Sequence, residues 1–246
     1  MNFYFKLLCQ IVFVIFSCFL QGVSAKTLHI LVIGQSISAN CNGHLYDKQN
    51  GIFQIDRMGT LIPAKDPFEW SDCKGGAMWI PLGDRLLASK LADRVVFMPI
   101  GVPATKAVDW MIGGKAYEKL NSAIELVKKK DIKFDLALWH QGSSDLGLDE
   151  GTYTVQVLGI LDYVNSLIDI EKWVMAIHSS CYGNTDIGIA KAQRAIGELK
   201  QRKIYPGPNT NDLGPEYRVD GCHLNRNGQE VMADRWFKSI DAALSK

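Results

Sequence analysis

Between Leu28 and Asn40 the chain reads Leu-His-Ile-Leu-Val-Ile-Gly-Gln-Ser-Ile-Ser-Ala-Asn. The near-continuous apolar run is that of a strand buried on both faces, which belongs in a parallel sheet covered by helices. Gly34 ends the run and Ser36 follows two residues on. The serine hydroxyl is thereby set at the carboxyl end of a central strand, where open α/β sheets hold their ligands. A helix following Ser36 would aim its N-terminal amides at an anion formed beside that hydroxyl. On its own Ser36 reads first as a helix cap. Gly-Gln-Ser-Ile-Ser also lacks the second glycine of the nucleophile elbow Gly-x-Ser-x-Gly, so the remaining segments must decide.

Those segments alternate. After a long irregular stretch from Cys41 to Trp79, the pattern predicts a helix over Pro81–Leu91 and a strand over Arg94–Ile100, closed by Gly101. A helix over Gly114–Lys130 follows, with Lys128–Lys130 as its solvated end, then a strand over Phe134–Trp139. The same reading gives a helix over Gly151–Ile168, a strand over Lys172–Ile177 and a helix over Ile187–Lys203. A Pro/Gly/Asn-rich loop, Pro206–Pro215, precedes a last amphipathic helix, Arg226–Leu244. Alternation without repeat or linker implies one α/β domain, a three-layer α/β/α sandwich around a mainly parallel sheet. The predicted strands end in Ser36, Gly101, His140-Gln141-Gly142 and His178-Ser179-Ser180, so the active site is expected along that edge.

Residues 1–25 read as a signal peptide: Lys6, an apolar run over Leu7–Leu20, and small residues at Val23-Ser24-Ala25. The run is short for a bilayer span, so no stable membrane insertion is expected once it is removed, and the domain occupies residues 26–246. Basic and acidic residues then balance. With no basic block, nucleic acid is not an expected partner, and a neutral or mildly polar substrate fits better. Of the six cysteines, Cys41, Cys73, Cys181 and Cys222 remain. An even count in an exported chain predicts disulfides, and Cys41–Cys73 with Cys181–Cys222 would each tie loops near one end of the sheet. The wide spacing and the lack of CxxC argue against a zinc site.

Two further motifs could carry chemistry. In Val219-Asp220-Gly221-Cys222-His223-Leu224, Asp220 and His223 are three apart, so one turn lets both side chains face the same way. A carboxylate on Nδ1 would fix the imidazole tautomer and free Nε2 to take a proton from a serine. Equally, Asp220 could cap a turn and His223 begin a helix. In Trp139-His140-Gln141-Gly142-Ser143-Ser144-Asp145, Gln141 offers an amide to a developing oxyanion beside the N–H groups of Ser36 and Gly101. His140 at a strand end reads as structural, and Asp145 as a cap for the next segment. Trp70, Trp79 and Trp110 are candidates for an aromatic stacking platform, though each such residue is more often core.

Taken in order, Gly34-Gln35-Ser36, Gly101, Trp139-His140-Gln141-Gly142 and Asp220-Gly221-Cys222-His223 resemble the motifs of the SGNH hydrolases, in particular the sialate O-acetylesterase-like carbohydrate esterases. The resemblance spans nearly all of residues 26–246. It implies a flavodoxin-like fold, Ser36 as nucleophile, His223 as general base and Asp220 as its orienter, with Ser36, Gly101 and Gln141 forming the oxyanion hole. Ile37 stands where the family carries Asn, and Ser143 where it carries Glu, which leaves Asp220 as the only evident orienter. The expected protein is a secreted or periplasmic esterase removing small acyl groups, chiefly acetyl, from carbohydrates with no metal or cofactor. An acyltransferase of the same fold, or a glycan-binding domain without turnover, are the alternatives.

Overall fold

The computed structural model of the protein describes residues 25–246. The signal-peptide reading of residues 1–25 therefore falls, but for Ala25, outside the described residues. Among those residues, no helix is long and apolar enough to cross a membrane.

Seven strands form one sheet in the order β3-β2-β4-β1-β5-β6-β9. They are β1 (Thr27–Gly34), β2 (Ile52–Ile55), β3 (Leu61–Pro63), β4 (Arg94–Gly101), β5 (Phe134–His140), β6 (Ile170–Ile177) and β9 (Ile204–Asn209). A separate hairpin comprises β7 (Ser180–Cys181) and β8 (Asn184–Thr185). Only β3 runs antiparallel within the main sheet, against β2. The helices are α1 (Trp79–Ala88), α2 (Tyr117–Lys130), α3 (Glu150–Leu167), α4 (Ile187–Gly197) and α5 (Arg226–Leu244).

Side-chain alternation along the strands divides the core in two. Ile30, Val32, Phe97, Leu138 and Val174 pack beneath α1 and α5. Leu31, Ile33, Met98, Trp139 and Met175 pack beneath α2, α3 and α4. The sandwich expected from the alternation of elements is thus the fold observed. Trp79 lies against Phe97 and Trp236, and Trp110 against Trp139. Trp70, Trp79 and Trp110 are all buried, so none is a sugar platform.

The departures from expectation have local causes. Cys41–Trp79 contributes β2 and β3, a short edge hairpin whose members have little room for a period-2 pattern. Pro206–Pro215 is not all loop: β9 runs to Asn209 as the other edge strand, where prolines that cannot donate are tolerated. The helix beginning at Ile187 stops at Gly197, which lies against Pro206 of β9, and only a 3₁₀ turn over Lys200–Arg202 follows. No α-helix follows Ser36; a single 3₁₀ turn, Ser36–Ser38, takes its place.

Register sets the site. Gly34 is level with Gly101 of β4 on one side and with His140 of β5 on the other. A side chain at Gly34 would collide with the His140 carbonyl and Ser38 Oγ, so the turn into Ser36 needs glycine there. The strands β1, β4 and β5 therefore end on one line, and the chain turns sharply over it.

Candidate active site

Ser36 follows that line at the start of its 3₁₀ turn, 6 % exposed. Gln35 beside it acts as a clamp. Its Oε1 accepts from the Gly142 amide at 2.8 Å, and its Nε2 donates to Ser143 Oγ at 2.7 Å. The side chain preceding the serine thus stitches the β1 turn to the loop after β5. Ile37, where the family carries Asn, is fully buried in the α1/α5 half of the core.

The second segment arrives from the far end of the chain. Asp220 Oδ1 accepts from the amides of Cys222 at 2.9 Å and His223 at 2.8 Å, and its Oδ2 meets His223 Nδ1 at 2.7 Å. Partial burial pushes this carboxyl up, but the imidazole and the two amides together hold it below the ordinary Asp range. Arg218 fastens the same loop by donating to the carbonyls of Thr210, Leu213 and Cys222. Two residues after His223, Asn225 caps α5 by accepting from the Gly228 amide at 3.0 Å.

One buried side chain joins the two segments. Asn42 Nδ2 donates to the Ile37 carbonyl at 2.7 Å, and its Oδ1 accepts from the Leu224 amide at 3.0 Å. The residue after the serine and the residue after the histidine are therefore held by one carboxamide. Gly43 adds a bond from its amide to the Leu224 carbonyl at 2.8 Å. Nothing in the sequence marks Asn42 out from the other polar residues of its loop.

Ser36 and His223 line one cavity of about 260 Å³, with Pro103, Ala104, Leu146 and Tyr182 among its walls. A larger cavity of about 570 Å³ lies at the opposite, amino edge of the sheet, between Asp131 and Asp169, and holds no nucleophile–base pair.

Two residues expected in the oxyanion hole are not brought to this cavity. The Gly101 amide donates to the Trp70 carbonyl, and its Cα lies against Ala39, which is why only glycine fits. Gln141 is fully buried on the other side of its loop. Its Nε2 donates to the Thr105 carbonyl at 2.9 Å and to Asp145, while its Oε1 accepts from Tyr153. Asp145 in turn accepts from the Ala107 amide at 3.0 Å, so it braces two loops and does not cap α3, whose cap is Asp149. Burial pushes the Asp145 carboxyl up, against those hydrogen bonds.

Ser36 does line the cavity, and among the described residues its amide has no protein acceptor. The same holds for the amide of Ala104, which also lines the cavity and takes a left-handed backbone with φ 53°. Alanine carries no signal for that conformation, so sequence reasoning passed it over. His140 is structural, as expected. It is fully buried with Nε2 2.8 Å from Thr210 Oγ1, and burial holds its pKa down to about 3.

The disulfides are Cys41–Cys73 and Cys181–Cys222, the pairs expected. The second joins the hairpin β7–β8 to the residue preceding His223.

No protein-family model matches the sequence, and no curated protein does. Solved structures do match the fold. A protein from Arabidopsis thaliana aligns at TM-score 0.66 and 16 % identity, over 89 % of this chain and 98 % of its own. A family 3 carbohydrate esterase from Clostridium thermocellum aligns at 0.52 and 14 %, over 89 % and 98 %. An acetylxylan esterase from Geobacillus stearothermophilus, in a catalytic-mutant form, aligns at 0.54 and 11 %, over 87 % and 94 %.

Proposed function

On the SGNH-hydrolase fold that this chain has, we propose an exported serine esterase that removes small acyl groups, chiefly acetyl, from carbohydrates. The observation that carries the reading is the bond of 2.7 Å from Asp220 to His223 Nδ1, on a cavity that also holds Ser36. With Nδ1–H given to the carboxylate, Nε2 is left with its lone pair. Nε2 takes the proton of Ser36 as Oγ attacks the ester carbonyl. The amides of Ser36 and Ala104 stabilise the oxyanion of the tetrahedral intermediate. On its collapse the ester C–O bond breaks, and His223 returns the proton to the departing sugar oxygen. Water, deprotonated by His223, then attacks the acyl-serine carbonyl; the acyl–Oγ bond breaks, His223 returns the proton to Ser36 Oγ, and the carboxylic acid leaves. No step calls for a metal or cofactor.

Residues 26–246 form the catalytic domain of this reading, and residues 1–25 its removable export signal. The two disulfides support an oxidising compartment, outside the cell or in a periplasm.

Acetate release from a panel of acetylated glycans, with and without an added acceptor sugar, tests the assignment. Release that does not depend on the acceptor is expected. Acetyl transfer to the acceptor would make the protein an acyltransferase, and neither reaction would make it a binding domain.

A further inference from the structure

Tyr182 is the feature of the cavity that the esterase reading leaves unused. It is the first of two residues, Tyr182-Gly183, that close the hairpin between Cys181 and Asn184. Both have positive φ, 51° and 76°, the backbone of a type I′ turn. That first position favours Asn, Asp or Gly, and a bulky aromatic there is an outlier. The ring gains no burial in return, since Tyr182 is 61 % exposed. Strain kept without a packing reward points towards function.

The turn is also fixed to the base. The Tyr182 amide donates to the Gly221 carbonyl at 3.1 Å, the Cys181–Cys222 disulfide lies beside it, and the ring stands nearly perpendicular to the His223 imidazole, with centroids 6.4 Å apart. An exposed aromatic ring thereby stands beside the general base, on the wall of the cavity that also holds Ser36. Leu146, also exposed, lines the same cavity. The hydrogen-bonding groups beside them, Ser143, Ser144 and Asn184, are neutral, and among the described residues no Asp, Glu, Lys or Arg lines the cavity. A carboxylate drawn into it would lose hydration with no permanently charged side chain to receive it.

We infer that Tyr182 is the platform of a leaving-group subsite that takes the apolar face of an uncharged sugar ring and discriminates against anionic sugars. The inference rests on the esterase reading and narrows its substrate class.

Three esters that share one ring test it: methyl glucoside tetraacetate, the acetylated methyl glucuronide with its free carboxylate, and the methyl ester of that glucuronide. The native protein should prefer the tetraacetate over the free acid by roughly tenfold or more in kcat/KM, and the methyl ester should restore the rate. Tyr182→Asn removes the ring while supplying a residue the turn favours, so the variant should melt no lower than the native protein. It should still lose roughly tenfold in kcat/KM on the tetraacetate, chiefly through KM, as expected for one lost aromatic contact. Tyr182→Phe should retain the native KM. Equal turnover of the acid, or an unchanged KM in Tyr182→Asn, would overturn the subsite. Hydrolysis that survives Ser36→Ala would instead overturn the nucleophile. Should none of the esters be hydrolysed, saturation-transfer NMR of the tetraacetate reads the subsite without turnover. Transfer to the ring protons that is lost in Tyr182→Asn supports the platform, and transfer that persists refutes it.

Discussion

Replacing Asp220 by Asn removes one charge, and the surrounding hydrogen bonds dictate which way the new amide must point. Oδ1 receives two backbone N–H groups, from Cys222 and His223, and Oδ2 receives the imidazole. An Asn side chain has one oxygen, and two donors already claim the Oδ1 position. Its NH₂ must therefore face His223 Nδ1 and donate to it. That leaves Nδ1 as an acceptor and puts the proton on Nε2, the atom that has to take the proton of Ser36. The imidazole is trapped in the wrong tautomer. In the serine-protease triad the same change costs about 10⁴-fold in kcat, which corresponds to about 5 kcal/mol of transition-state stabilisation. No second carboxylate among the described residues bonds to this imidazole, so a loss of that order is expected here. KM should change little, because neither group binds the sugar. Arg218 and the Cys181–Cys222 disulfide hold the loop in the variant as in the native protein. Steady-state hydrolysis of 4-nitrophenyl acetate gives kcat and KM, and ¹⁵N shifts of the imidazole report the tautomer. A fall of less than tenfold in kcat, or an unchanged tautomer, would show that Asp220 does not set the protonation of His223.

Other outcomes follow from the same structure. Gln141→Ala should act mainly on stability, lowering it by roughly 1–3 kcal/mol in urea denaturation, because its amide serves Thr105 and Asp145 and not the cavity. Asn42→Ala strands the buried Leu224 amide and Ile37 carbonyl, so it should destabilise by a similar amount and lower kcat more than it raises KM. His140 is kept neutral by burial, with its pKa held to about 3 against 6.5 in the unfolded chain. The folded state then binds fewer protons, so the contribution of His140 is complete above pH 6.5 and is lost as pH falls towards 3. Relative to the native protein, His140→Gln should thus gain about 3 kcal/mol on going from pH 7.5 to pH 4.5, measured by urea midpoints. Under the proposed export, the mature protein should begin at Lys26 and contain no free thiol, which intact mass and thiol titration under denaturing, non-reducing conditions check.

What the sequence discloses about the site is what lies close together along the chain. Asp220 and His223 fall in one turn, and Ser36 follows a strand that its apolar run identifies, so each could be placed from neighbouring residues. Of the two proposed oxyanion donors, the Ser36 amide could be placed in this way and that of Ala104 could not. Whether an amide is free depends on what packs across from it: Trp70 supplies the acceptor that occupies Gly101, and Asp145 and Thr105 draw the Gln141 amide away. Ala104 adopts a left-handed backbone that its residue type does not announce. Asn42 matters because it meets Leu224, 182 residues away. The sheet follows the same rule. The long central strands carry continuous apolar runs, whereas β2 and β3 are too short to show a period and β9 is masked by Pro206 and Pro208. Tyr182 and the three buried tryptophans make the same point for substrate binding, since aromatic type alone does not separate a core ring from an exposed one.

Under the proposed function Ser36 is the nucleophile activated by His223. Labelling with a serine-reactive fluorophosphonate, followed by peptide mass spectrometry, reads this out at the residue. One adduct on the peptide holding Ser36 is predicted. It should be absent from Ser36→Ala and strongly slowed in His223→Ala, with acetate release falling in step. An adduct on a different residue, or unimpaired acetate release from Ser36→Ala, would show that Ser36 is not the nucleophile.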